Sequence, residues 1–327
     1  MKKKIAIVLV GLMCVSATGC SILGNKGGVD MTAVNAENMF TNISDDAVVE
    51  GSVASEAFSK AMSAIESDDN ITIGVKNTIV MGTEGQPNYQ NSSNESVVKL
   101  VKDGDVKKGS VVIDNVYKYA GETTTGEDSA KPTEEKSRVT GSYMGDALYF
   151  ITNDGDKVKE EMGYEDFLSV VNTYSLSIYN DSINKAACVE NKNGKTYYIS
   201  YDPAKFETTM NTNMEASGQT MADGEAMHVK YANIIANINN DGDLIGYGFV
   251  INAEYVNDES TIPYNYSIET NFSDRGKTKI DEVKDTDSYM TAEEYTEKMQ
   301  KAAAGASGEN NAEESTENET NIEESTN

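Results

Sequence analysis

The sequence predicts an α+β fold that is mainly β, with antiparallel strands and a few amphipathic helices. Three observations carry this. Long stretches alternate apolar and polar residues with the period of two that a half-buried strand requires. Asp-Gly and Asn-Gly dipeptides stand between such stretches, where they supply the positive φ of tight hairpins. Only a few segments switch to apolar residues three and four apart.

The longest alternations are Ile71 to Met81, Ile245 to Tyr255 and Ile262 to Phe272, the last two with aromatic-rich apolar faces. Shorter candidates are Ser96–Lys102, Ser110–Tyr119, Arg138–Tyr143, Ala147–Asn153, Lys185–Glu190, Thr196–Asp202 and Ala226–Asn239. Asp103-Gly104, Asp154-Gly155, Asn193-Gly194 and Asp241-Gly242 mark the turns, which favours antiparallel pairing. The polar stretches Gly82–Glu95 and Gly121–Ser137 hold almost nothing to bury and read as long loops.

Helical spacing places Ala54, Phe58, Ala61, Met62 and Ile65 on one stripe, and Phe167, Leu168, Val171, Tyr174 and Ile178 on another. Asp202-Pro203 reads as N-cap and first helical residue of a helix carrying Phe206, Met210 and Met214 at four-residue spacing. Thr291 and Glu294 have the spacing of a capping box at the start of a last helix, Ala292 to about Ala303.

The ends read differently. Lys2, Lys3 and Lys4, an apolar run from Ile5 to Val15 and small residues up to Gly19 make the three parts of a secretory signal. Ala17-Thr18-Gly19-Cys20 resembles the lipobox of bacterial lipoproteins, in which the cysteine is lipidated and becomes the new N-terminus. That resemblance implies a signal peptide over 1–19 and a chain anchored to the extracytoplasmic face of a cell membrane through a diacylglyceryl Cys20. Residues 20–51 read as the lipidated cysteine and a flexible tether, 52–302 as a single domain, and 303–327, with seven Glu and no Lys or Arg, as a disordered acidic tail.

Composition narrows the function. A formal net charge of −27 and a pI near 4.3 exclude nucleic acid as a partner, because phosphate binding needs a basic face. The parts of an enzyme are missing. The sole histidine, His228, has no HxH or HExxH partner, and no P-loop, GxSxG or GxGxxG stands in a strand–turn–helix setting. Asn237, Asn239 and Asp241 would start a calcium loop, but Gly248 occupies the position of its closing Glu. Cys188, in the apolar run Ala186–Val189, reads as a small buried hydrophobe. The chain is therefore expected to be non-enzymatic, with no metal and no cofactor.

The order of helix, long strands, helix, hairpin, helix and long strands behind a lipobox resembles the LolA/LppX-like superfamily over about residues 52–284. The resemblance implies a sheet curled into a half-barrel, with helices across its concave face as a lid. No residue role is carried over from it. Tyr247, Phe249, Tyr264, Tyr266 and Phe272 are the candidates for the concave face, and Phe206, Met210 and Met214 for the lid. Those residues either close on one another as an ordinary core or line a groove for a lipid or other apolar molecule. In the alternative, the chain is a membrane-tethered protein–protein module or sensor with a filled core.

Overall fold

The computed structural model describes residues 28–120, 133–216, 218, 221, 224–257 and 260–309, the last of these as backbone alone beyond 302. The signal region, Cys20, the tether up to 27 and the tail from 310 lie outside the described residues.

Thirteen strands form one open, curved sheet. They are β1 (Val48–Val49), β2 (Asn70–Met81), β3 (Gln90–Asp103), β4 (Val106–Tyr119), β5 (Thr133–Met144), β6 (Ala147–Ile151) and β7 (Lys157–Glu161). Then follow β8 (Ile183–Asn191), β9 (Gly194–Tyr201), β10 (Ala226–Asn239), β11 (Leu244–Val256), β12 (Thr261–Ser273) and β13 (Met290–Thr291). The order across the sheet is β1-β8-β9-β10-β11-β12-β2-β3-β4-β5-β6-β7-β13, antiparallel throughout except where β13 joins β7. Two-residue strands stand at both edges and pair only with Ala186 and Ala187 of β8 and with Val158 and Lys159 of β7.

Among the described residues five α-helices accompany the sheet: α1 (Met31–Val34), α2 (Gly51–Glu66), α3 (Tyr164–Val171), α4 (Pro203–Ala216) and α5 (Ala292–Glu309). The stripe of α2 is buried as its spacing requires, with Ala54 and Phe58 fully covered. Asp202 caps α4 through its carboxylate, which accepts from the Lys205 amide at 3.0 Å. Thr291 and Glu294 make both halves of the capping box of α5.

Four expectations are corrected. The loop read over Gly82–Glu95 ends at Tyr89, because Gln90 to Glu95 belong to β3 and pair with Met81 to Lys76. The loop read over Gly121–Ser137 gives way to β5 at Thr133. The second helix stops at Val171, and Tyr174 and Ile178 continue in non-helical chain in which Tyr174 is nevertheless buried. Finally, α5 runs through Glu309, so the tail boundary at 303 falls inside a helix.

The tether is shorter than its composition suggests. Val29, Val34 and Met39 are buried against Ile235 and Val250 on the outer face of β10 and β11. The Asn233 amide, itself 1 % exposed, donates to the carbonyls of Val34 and Ala36 at 3.0 and 2.9 Å. Gly248 makes room for this strap, since a Cβ there would lie 2.6 Å from the Met31 sulfur. Residues 28–49 are therefore packed on the body.

The outer face also carries a cross-strand row of charges: Glu269, Lys76, Glu95, Asp114 and Arg138. Lys76 pairs with Glu95 at 2.6 Å, and Arg138 lies 3.4 Å from Asp114. Asp114 is 3 % exposed, and neither carboxylate oxygen has a hydrogen-bond partner among the described residues. Burial raises its pKa, Arg138 opposes the rise, and Glu95 adds to it. A carboxyl whose folded pKa is raised penalises the native state wherever it is ionised, and the penalty disappears as pH falls through that pKa. Asp114→Asn is thus expected to raise the urea midpoint at neutral pH. The gain should shrink towards zero as pH drops below the ordinary aspartate range; a gain constant across pH would contradict this account.

Candidate functional site

Antiparallel pairing gives the sheet two ends. The lower end holds the turns at 103–106, 191–194 and 239–244, and the upper end holds those at 81–90 and 256–261. The inner face differs sharply between the two.

In the lower half the inner residues are Ile71, Ile73, Val75, Val98, Leu100, Val111, Tyr247, Phe249 and Phe272, all buried with the helices in one cluster. Phe58 of α2 meets the Tyr247 ring edge-on at 5.6 Å, and Phe206 of α4 meets Phe249 at 6.2 Å. The Tyr247 hydroxyl donates to the Tyr174 carbonyl at 2.6 Å, and burial pushes its pKa well above the usual phenol range. Tyr174 itself stands edge-on to Phe272. Phe206, Tyr247, Phe249 and Phe272 are thus packed ring on ring beneath the helices, at 0 to 6 % exposure.

In the upper half the same face opens. Tyr264 and Tyr266 are half-buried, and their cross-strand partners Met81 and Ile79 on β2 are half-buried too. The rows continue through Gln90 and Ser92, both exposed, to Tyr119 and Tyr117. Solvent therefore reaches this wall. Burial raises the pKa of both Tyr264 and Tyr266, and at Tyr266 a hydrogen bond from Asn77 acts in the opposite direction. The two phenols stay neutral over the physiological range and can donate.

Between the halves runs a polar ladder. Ile268, Asn77, Asn94, Asn115 and Ser137 are successive cross-strand partners from β12 to β5. Asn94 donates to Asn115 at 2.6 Å, and Asn115 donates to Ser137 at 3.2 Å. The carbonyl oxygen of Asn77 and the hydroxyl of Ser96 are buried in this zone without a hydrogen-bond partner among the described residues. At the far end of the wall, Tyr119 donates to Glu135 at 3.0 Å.

The lid candidates separate. Met210 is half-buried against the core. Met214, at the end of α4, borders a cleft of about 220 Å³ with Glu207, Asn211, Glu225 and Met227. Met227 pairs with Tyr255, so this cleft adjoins the upper part of β10 and β11. Of the eight candidates, Met214 stands at the open end, and Tyr264 and Tyr266 are half-buried at the boundary, packed on the core on one side, with Tyr266 edge-on to Phe249 at 6.1 Å; the other five lie in or against the packed half.

No family model matches the chain, and no curated protein does. Among solved structures it is similar to the Mycobacterium tuberculosis lipoprotein LppX, 11 % identical over 73 % of this chain and 100 % of that one, with a TM-score of 0.31. It is also similar to a DUF1329 family protein from Desulfovibrio piger, 7 % identical over 68 % and 91 % with a TM-score of 0.18. A porin-like protein from Bacteroides uniformis is 10 % identical over 61 % and 95 %, with a TM-score of 0.19. None of these likenesses carries a residue or a role onto this chain.

The wall offers phenols, amides, hydroxyls, a thioether and aliphatic surface. Such groups hold a molecule by packing and hydrogen bonding. His228 is well exposed on β10, with its Nδ1 3.4 Å from Glu207. Cys188 is half-buried against the core and opposite Tyr197. Among the described residues no three His, Cys, Asp or Glu side chains gather as a metal site, and no helix is long and apolar enough to cross a membrane. Ile79, Met81, Gln90, Ser92 and Asn94 join the wall although sequence reasoning did not assign them to it. Their signal lay in the register of β2 and β3, which a polar stretch does not announce.

Proposed function

We propose that this chain is an extracytoplasmic lipoprotein, anchored through acylated Cys20, that binds an amphiphilic or apolar molecule along the upper inner wall and performs no catalysis. One observation carries the reading: the inner face is filled below and solvent-reached above, where Ile79, Met81, Tyr264 and Tyr266 stay half-buried. Aliphatic and tyrosine surface suits a hydrocarbon portion, and the half-buried Asn77 and Asn94 suit a polar, uncharged portion beside it.

Titrating the full chain with a fluorescent fatty acid tests this. Saturable uptake is expected, and Tyr266→Ala together with Ile79→Ser should weaken it roughly tenfold or more, since each removes apolar contact worth about 1.5 kcal/mol or more. The thermal midpoint serves as a control for folding. Absence of uptake by the wild-type chain, or uptake indifferent to both substitutions, would leave the protein–protein module as the better reading.

A further inference from the structure

The strap on the outer face fixes which end of the sheet faces the anchor. Gly28 lies in a cleft lined by Asn191, Asn193, Gly194 and Asn239, which is the lower end of β9 and β10. From there the chain climbs the outer face. Val29, Met31 and Val34 sit over Gly248, and Asn35 accepts from the Tyr231 hydroxyl at 3.1 Å and from the Asn265 amide at 3.1 Å. The strap is held by buried apolar residues and by the two hydrogen bonds from Asn233, so it belongs to the folded body.

Only seven residues separate Cys20 from Gly28. The eight Cα-to-Cα steps from one to the other span at most about 28 Å. β11 has thirteen residues, so its upper end lies about 40 Å from its lower end.

We infer that the strap holds the turns at 191–194 and 239–244 next to the bilayer and directs the upper inner wall away from it, so that the bound molecule is exchanged with a partner or layer on the far side and not with the anchoring membrane. This rests on the reading of Cys20 as the acylated anchor and of the upper wall as the binding surface. An anchor attached to a loose tether of some thirty residues would impose no such polarity, because its reach would exceed the length of the strands.

Energy transfer tests it on the acylated full chain reconstituted in phosphatidylcholine/phosphatidylglycerol vesicles with an acceptor dye on the lipid headgroups. Donor fluorophores are placed at Asp241→Cys or Thr261→Cys, each in a Cys188→Ser background; positions 241 and 261 are exposed. Quenching at 241 should exceed that at 261 at least twofold. Val34→Asp changes only the strap and should release it, shrinking the difference; Gly248→Val, on the sheet side, should do the same. Equal or reversed quenching in the unreleased chain, or a difference that survives release of the strap, overturns the inference. Mass spectrometry of the N-terminal fragment separates the two readings: without acyl chains on Cys20 the anchor reading falls and this inference with it, whereas acyl chains with unpolarised quenching sink this inference alone.

Discussion

Tyr247→Ala is expected to lower stability by about 4 to 5 kcal/mol, a large part of what a domain of this kind possesses. The side chain is fully buried and contacts Phe58 edge-on at 5.6 Å and Phe272 at 6.4 Å, so its removal opens a ring-sized hole between α2 and β12. Truncation to alanine at such a site costs about 3 to 5 kcal/mol, because the walls relax only in part. The lost hydroxyl adds about 1 kcal/mol by stranding the Tyr174 carbonyl. Tyr247→Phe isolates that second contribution and should cost only about 1 kcal/mol. Urea titration with an unchanged slope measures both. The result bears on function too. If the lower half were a ligand cavity, Tyr247→Ala would cost little and would enlarge the space for a fatty acid; a filled core predicts the opposite on both counts.

The division into a packed half and an open half was only partly legible in the sequence. Alternation located β2, β11 and β12 and put Tyr247, Phe249, Tyr264, Tyr266 and Phe272 on a common face, as the register confirms. It could not rank them along the strands, because a period of two carries no information about which stretch a helix will cover. That depends on where α2 and α4 land, and α2 crosses at Tyr247 while α4 packs by Phe206 on Phe249. Four apparently equivalent aromatic positions, 247, 249, 264 and 266, therefore ended in two environments.

Two kinds of element escaped for a shared reason. Gln90 to Glu95 form a strand with polar residues on both faces, so nothing alternates, and the segment is held by its ladder to β2 and β4. The strap has apolar residues at Val29, Val34 and Met39, a spacing that matches neither a helix nor a strand. Its visible signal lay elsewhere, in Gly248 and Val250 on the outward positions of β11. A small residue beside an apolar one on a face that should be solvated marks a second layer, and a close approach of main chain needs the missing Cβ.

Gly194→Ala is expected to be the most damaging glycine replacement in the turns, costing about 3 kcal/mol. Its φ of +146° is a conformation that L side chains rarely adopt, and a Cβ there would stand 2.1 Å from the Ile238 carbonyl oxygen and 2.7 Å from the Asn239 Cα. Those neighbours are main chain and cannot rotate aside. The β9–β10 pairing from Gly194 opposite Asn239 to Ser200 opposite Asn233 would have to open at its lower end. Gly104 provides the comparison. It has a φ of +59° in the Asp103-Gly104 turn with nothing within 4 Å of the added carbon, so Gly104→Ala pays only the backbone strain, about 1 to 2 kcal/mol. Denaturant midpoints of the two variants separate strain from collision: the 194 variant must fall well below the 104 variant, and equal losses would mean that the close packing of β9 against β10 at this turn is not what the glycine serves. Because Gly28 borders the same turn, the 194 variant should also loosen the start of the strap, seen as faster amide exchange at Val29 and Val34 than in the 104 variant.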